Sequence, residues 1–179
     1  LLLPAALLAA ALAGGAWGAV PGVLRARFGS HEVINTIMLN FIAFSIVSWA
    51  GHGLFQTATV RTREIAAAAE LPRLDALAPA LRGAPANASL FIGLLLAAGI
   101  AALLFRTRLG YELRAVGHNP SAAEYGGVRT GTAQALALTI SGAVAGLGGT
   151  NFVLGYKHYF ELGFTGGAGF IGIAVALRG

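Results

Sequence analysis

The 179-residue sequence is 56% hydrophobic and 11% charged, carries a formal net charge of +5, and gathers its charges between long uncharged runs. A soluble domain needs a polar exterior that these runs do not supply, so the composition excludes an ordinary soluble globule and requires lipid. The sequence contains no cysteine, which excludes disulfides, thiolate metal sites and thiol catalysis.

Positions 1–24, 83–105 and 130–156 carry no formal charge, and 33–60 carry only His52 as a titratable side chain. A hydrocarbon core about 30 Å thick needs roughly 20 helical residues, which each of these runs supplies. A cleaved signal peptide is the alternative for the first run, but it lacks a basic start and exceeds a typical signal's apolar region. The fifth run, 162–177, is short and Gly-rich, consistent with either a half-membrane hairpin or a helix cut short. The chain begins without Met and stops within an apolar run, which reads as an internal piece of a longer protein. The expected architecture is all-α, a polytopic α-helical membrane protein forming a single membrane domain over 1–179. Its spans are placed at about 1–22, 33–54, 89–105 and 131–152, with an incomplete one at 166–179.

Topology follows from the loops. Arg25 and Arg27 follow the first run, and Arg106, Arg108, Arg114 and Arg129 surround the loop at 106–129, whereas Arg61, Arg63, Arg73 and Arg82 are diluted by Glu64, Glu70 and Asp75. The positive-inside rule therefore places 106–129 in the cytoplasm and 56–88 outside. The outer loop is expected to hold a short amphipathic helix over 63–70, a break at Pro72, a second short piece near 74–81 and a turn at 83–85. Arginines at membrane edges, with no basic face interleaved with aromatics, read as topology and not as nucleic-acid binding.

No catalytic constellation is legible. His31, His52, His118 and His158 lack ligand spacing, so no metal site is expected. Lys157, the only lysine, has no Gly-rich phosphate loop before it and no Ser or Thr after it. No cofactor is expected on this chain, and any ATP must be used by a partner subunit.

The loop at 106–129 could take such contact. Asn119 can cap a helix, Pro120 suits its first position, Ser121 to Tyr125 continue it, and Gly126 with Gly127 supply the stop. A helix of about two turns is marginal in water unless it docks. Two readings stand: docking on a soluble partner, or packing on its own membrane domain.

The same residues carry a resemblance. The stretch Gly110-Tyr111-Glu112-Leu113-Arg114-Ala115-Val116-Gly117-His118-Asn119-Pro120, with Ala122-Ala123 and Gly126-Gly127-Val128, resembles the cytoplasmic loop of bacterial ABC importer permeases for simple sugars and nucleosides. Ser141 to Gly149, the block from Arg25 to Asn40 and the block from Gly169 to Leu177 are similar to the same family, the last two to its nucleoside branch. Arg178 departs from that pattern. The resemblance implies a fragment of a larger permease domain in the bacterial inner membrane. It implies as partners a cytoplasmic ABC ATPase, a second permease subunit and an extracytoplasmic substrate-binding lipoprotein. It also implies that 110–127 couples to the ATPase, through Gly110, Glu112, Arg114, Gly117, Asn119, Pro120, Ala122, Ala123 and Gly126. Branched-chain amino acids are the competing solute class, and a non-transporting membrane scaffold is the reading from a different class.

Two features of the spans stand apart from the resemblance. Gly14, Gly18 and Gly22 recur at intervals of four, as do Gly142 and Gly146, a spacing that lets helix backbones approach closely. Asn35, Thr36 and Asn40 lie on the second run, with Thr36 and Asn40 on one face, fit either to line a path for a polyhydroxylated solute or to bond helix to helix.

Overall fold

In the computed structural model the described residues are 2–52, 61–72 and 87–163, with 166, 167, 171, 174, 175 and 178 beyond them. Among the described residues six α-helices follow in chain order: α1 (Leu2–Phe28), α2 (Glu32–Gly51), α3 (Ser89–Arg106), α4 (Arg108–His118), α5 (Pro120–Tyr125) and α6 (Thr130–Thr150). A 3-10 turn at Ala67–Ala69 stands between α2 and α3, and α6 runs on as a π-helix over Asn151–Lys157. Four of these segments, α1, α2, α3 and α6 with its extension, are long and apolar enough to cross a membrane. They turn large apolar side chains such as Leu12, Phe41 and Leu95 outward, which only hydrocarbon or another apolar surface tolerates. Helices suit that medium because their backbone groups are satisfied internally.

The packed pair is α1 against α6, antiparallel, and the glycines set its register. A methyl group at Gly14 would overlap the Gly142 carbonyl and stand 3.0 Å from Gly146 Cα. One at Gly18 would stand 3.0 Å from Gly142 Cα, and one at Gly22 would stand 2.8 Å from Ala135 Cα. Farther along, a methyl at Gly131 would lie 3.3 Å from Ala26 Cβ. Contact thus steps by four residues along α1 and runs from Gly146 back to Gly131 on α6, about 22 Å at 1.5 Å per residue. In lipid there is no hydrophobic gain in bringing two apolar helices together, so association rests on such close backbone packing.

This pairing brings the end of α1, with Arg25 and Arg27, beside the start of α6, where Arg129 precedes Thr130. Arg27 and Arg129 line one cavity of about 660 Å³ there. The chain turns from α1 to α2 at Gly29, whose φ of +62° favours glycine. Arg25 spans the turn to pair with Glu32 in the first turn of α2, where the helix dipole also favours a carboxylate.

At the opposite end the segment before α3 departs from expectation. The helix anticipated over 63–70 is reduced to the turn at Ala67–Ala69. The Ile65 N–H within it donates to the His158 carbonyl at 2.8 Å and that of Thr62, just before it, to the Phe160 carbonyl at 2.8 Å, beside a bridge between Arg61 and Glu161. Leu71 N–H donates to the Leu154 carbonyl at 2.8 Å and Ala88 N–H to that of Pro72 at 3.0 Å. Segment 61–72 is therefore a strap across the end of α6. Arg61 lies over the Tyr159 ring at 5.0 Å, and Lys157 pairs with Glu161. The piece anticipated at 74–81 and the turn at 83–85 lie outside the described residues, as does most of the fifth run.

Candidate coupling site and polar face

Local chemistry builds α5. Asn119 is extended (φ −158°, ψ 105°), its Oδ1 accepts from Ala122 N–H at 3.1 Å, and Pro120 follows where no N–H is needed. The helix stops at Gly126, whose N–H donates to the Ala122 carbonyl at 3.1 Å, and Gly127 turns the chain away with φ +83°.

Six residues would not hold a helix alone. Ala123, 7% exposed, packs with Val116 of α4 and Ala133 of α6, and Leu113, Ala115 and Val128 close over the cluster. One face of α5 thus rests on the chain's own helices, while Ser121, Ala122, Glu124 and Tyr125 remain exposed, Tyr125 at 95%. Packing and docking are compatible: the first fixes the helix, and the second has a free face to use.

The other loop residues serve the ends of α4. Gly110 is buried where α4 turns against α3, and a methyl there would overlap Leu103 O and Leu104 Cα. Glu112 stands 3.6 Å from Arg108, and Arg114 places its guanidinium 5.0 Å from the Phe105 ring centroid. Gly117 faces open space.

The three polar residues of α2 do not converge on one site. Asn35 Nδ2 donates to Ser30 Oγ, and Thr36 Oγ1 donates to the Val33 carbonyl at 3.0 Å, so both are satisfied near the start of their own helix. Asn40 alone faces a cavity, of about 540 Å³, lined also by Phe41, Phe44, Val47, Phe160 and Leu162. Among the described residues no three His, Asp or Glu side chains gather as metal ligands would.

A polar junction at the start of α3 was not anticipated. Asn87, 4% exposed, donates from Nδ2 to Asn151 Oδ1 at 3.0 Å, Ser89 Oγ donates to the same oxygen at 2.8 Å, and Asn87 Oδ1 accepts from Ser89 N–H at 2.9 Å. Asn151 opens the π-helix, and Gly155 one turn on leaves room for the Asn87 amide, which a methyl would overlap. The available signal was an amide inside an otherwise apolar run, which must find a partner.

Four apolar spanning helices and a close-packed glycine interface define an all-α polytopic membrane protein. The chain belongs to the family described as branched-chain amino acid transport system / permease component, which matches residues 1–179. It is 39% identical over 180 residues to the guanosine ABC transporter permease protein NupP of Bacillus subtilis, covering 99% of this chain and 51% of that protein. It is 34% identical over 186 residues to the nucleoside ABC transporter permease protein NupB of Lactococcus lactis, covering 100% and 51%. It is 35% identical over 185 residues to the glucose ABC transporter permease protein TsgB13 of Haloferax volcanii, covering 99% and 49%. The chain therefore spans about half the length of the curated relatives it matches. No solved structure matches it.

Proposed function

We propose that this chain is part of the membrane-spanning permease of an ATP-binding-cassette importer that carries nucleosides or related simple sugars across a bacterial inner membrane. It hydrolyses no ATP itself; a cytoplasmic ATPase subunit drives it. A second permease subunit completes the path, and an extracytoplasmic binding lipoprotein delivers the solute. The observation that carries this reading is α5, a capped two-turn helix fixed on one face by Ala123 and free on the other, in a chain whose relatives are named as ABC transporter permeases. A short helix held this way can receive a push from a soluble partner and pass it to α4 and α6 without unfolding. Nucleosides are favoured over branched-chain amino acids by the names of the relatives, two of them nucleoside or guanosine permeases. Asn40, an amide beside three phenylalanines, is the group in the described spans best placed to meet a passing solute.

The test is ATP-dependent uptake of labelled uridine, glucose and leucine, each in turn, into vesicles holding the assembled transporter, with unlabelled guanosine, glucose and leucine as competitors. Competition by guanosine alone fits the nucleoside reading. Uptake of glucose or leucine without uridine moves the substrate class, and no ATP-dependent uptake of any solute favours a membrane scaffold.

A further inference from the structure

We infer that Thr107 and Gly110 form a rigid elbow that locks α3 to the α4–α5 unit, so that a push on α5 reaches a span. The inference rests on the coupling reading above and names how motion would reach a span.

At the elbow the chain leaves helical geometry for a single residue, Thr107 (φ −120°, ψ 158°). Its hydroxyl serves both helices at once. Oγ1 donates to the Leu103 carbonyl in the last turn of α3 at 2.6 Å and accepts from Gly110 N–H in the first turn of α4 at 3.1 Å. A Thr bonded back to its i−4 carbonyl bends a helix, and a Thr at an N-cap starts one; here one side chain does both. Gly110 lets α4 fold tightly against α3, because only hydrogen fits beside Leu103 O and Leu104 Cα. Arg114, a turn farther along, reaches back over Phe105 at 5.0 Å. Three independent contacts thus hold one angle, where a one-residue break would otherwise flex.

The far side of the elbow is tied to α5. Val116 of α4 and Ala123 of α5 share one cluster, and the Asn119 backbone is bonded at both groups, its N–H to the Ala115 carbonyl at 3.1 Å and its C=O to Ala123 N–H at 3.0 Å. α3 is bonded to the described chain at both of its ends. It is gripped at its start, where Ser89 bonds Asn151, and at its last turn through the elbow. Packed contacts of this kind carry displacement as discrete rearrangement, so a push on α5 is passed to α3.

The experiment compares Thr107→Val and Thr107→Ser in the assembled transporter, reading solute uptake and ATP hydrolysis together. Thr107→Val keeps the shape and removes both hydrogen bonds; Thr107→Ser keeps both. The expected result is an uptake loss of about fivefold or more for Thr107→Val. Its ATP hydrolysis persists, so that ATP consumed per solute rises, and Thr107→Ser restores the wild-type ratio. An unchanged ratio in Thr107→Val, or equal failure of Thr107→Ser, overturns the elbow while leaving the importer reading intact. Wild-type transporter with no ATP-dependent uptake overturns both.

Should Thr107→Val not accumulate in the membrane, spin labels on Leu95→Cys and Tyr111→Cys decide the matter. Both sites are exposed, and these 179 residues contain no other cysteine. A label-to-label distance that stays single and unchanged with and without ATP supports a rigid elbow; one that shifts with ATP contradicts it.

Discussion

Asn151 holds two donors with one oxygen, and its partners lie 64 and 62 residues away in sequence. Replacing it by Ala leaves the buried Asn87 amide unpaired, a cost of about 1–3 kcal/mol. Asn151→Ala is therefore expected to lower the thermal midpoint of the detergent-solubilised protein by several degrees, read by fluorescence-detected size exclusion. Asn119→Ala is a milder lesion: loss of the cap costs about 1 kcal/mol and falls on α5 alone. It is expected to reduce uptake with little change in thermal midpoint. Gly146→Leu drives a side chain into the backbone of Ala10 and Gly14, and the expected outcome is loss of monodisperse protein from membranes, since no rotamer avoids a neighbouring main chain.

Among the elements, those whose signals are local were legible before the structure. Asn119, Pro120 and the Gly126-Gly127 pair specify the start and stop of α5 within eight or nine residues, and the structure places that helix at Pro120–Tyr125. The spacing of Gly14, Gly18 and Gly22 pointed to a close helix contact but could not say against what; the partner is α6, in an antiparallel register set by Gly142 and Gly146. Non-local pairing stayed hidden. The amphipathic pattern over 63–70 reads as a helix because nothing within it reveals that the N–H of Ile65, and those of Thr62 and Leu71 on either side, bond to carbonyls at Leu154, His158 and Phe160. The π-helix at Asn151–Lys157 was equally invisible, since it depends on Asn87 filling the space beside Gly155 and on Leu71 donating to the Leu154 carbonyl. Of the polar residues on α2, Asn35 and Thr36 find local partners, because hydroxyls and amides in the first turns of a helix meet the loop and their own backbone first. Replacing Ala123 by Glu forces a carboxylate between Val116 and Ala133, so Ala123→Glu should detach α5 and abolish uptake while the four spans still insert, as judged by protease accessibility of the membrane-embedded protein.

On the scale of the whole molecule, the described chain joins two ends of a membrane domain through different chemistries. The basic end carries the α4–α5 unit and Arg25, Arg27 and Arg129; the other end carries the strap and the amide junction. Between them α1 and α6 form the fixed pair and α3 the element tied at both ends. The proposed importer function turns on the α4–α5 unit passing a push to these spans. Its direct test is whether the free face of α5 touches an ATPase.

With no cysteine in these 179 residues, Tyr125→Cys places one reactive thiol on that face and Leu95→Cys one on a span, for short-range crosslinking within the assembled transporter. The account predicts a crosslink from Tyr125→Cys to the ATPase subunit, modulated by ATP, and none from Leu95→Cys. A Tyr125→Cys protein that transports normally yet never crosslinks to the ATPase would contradict it.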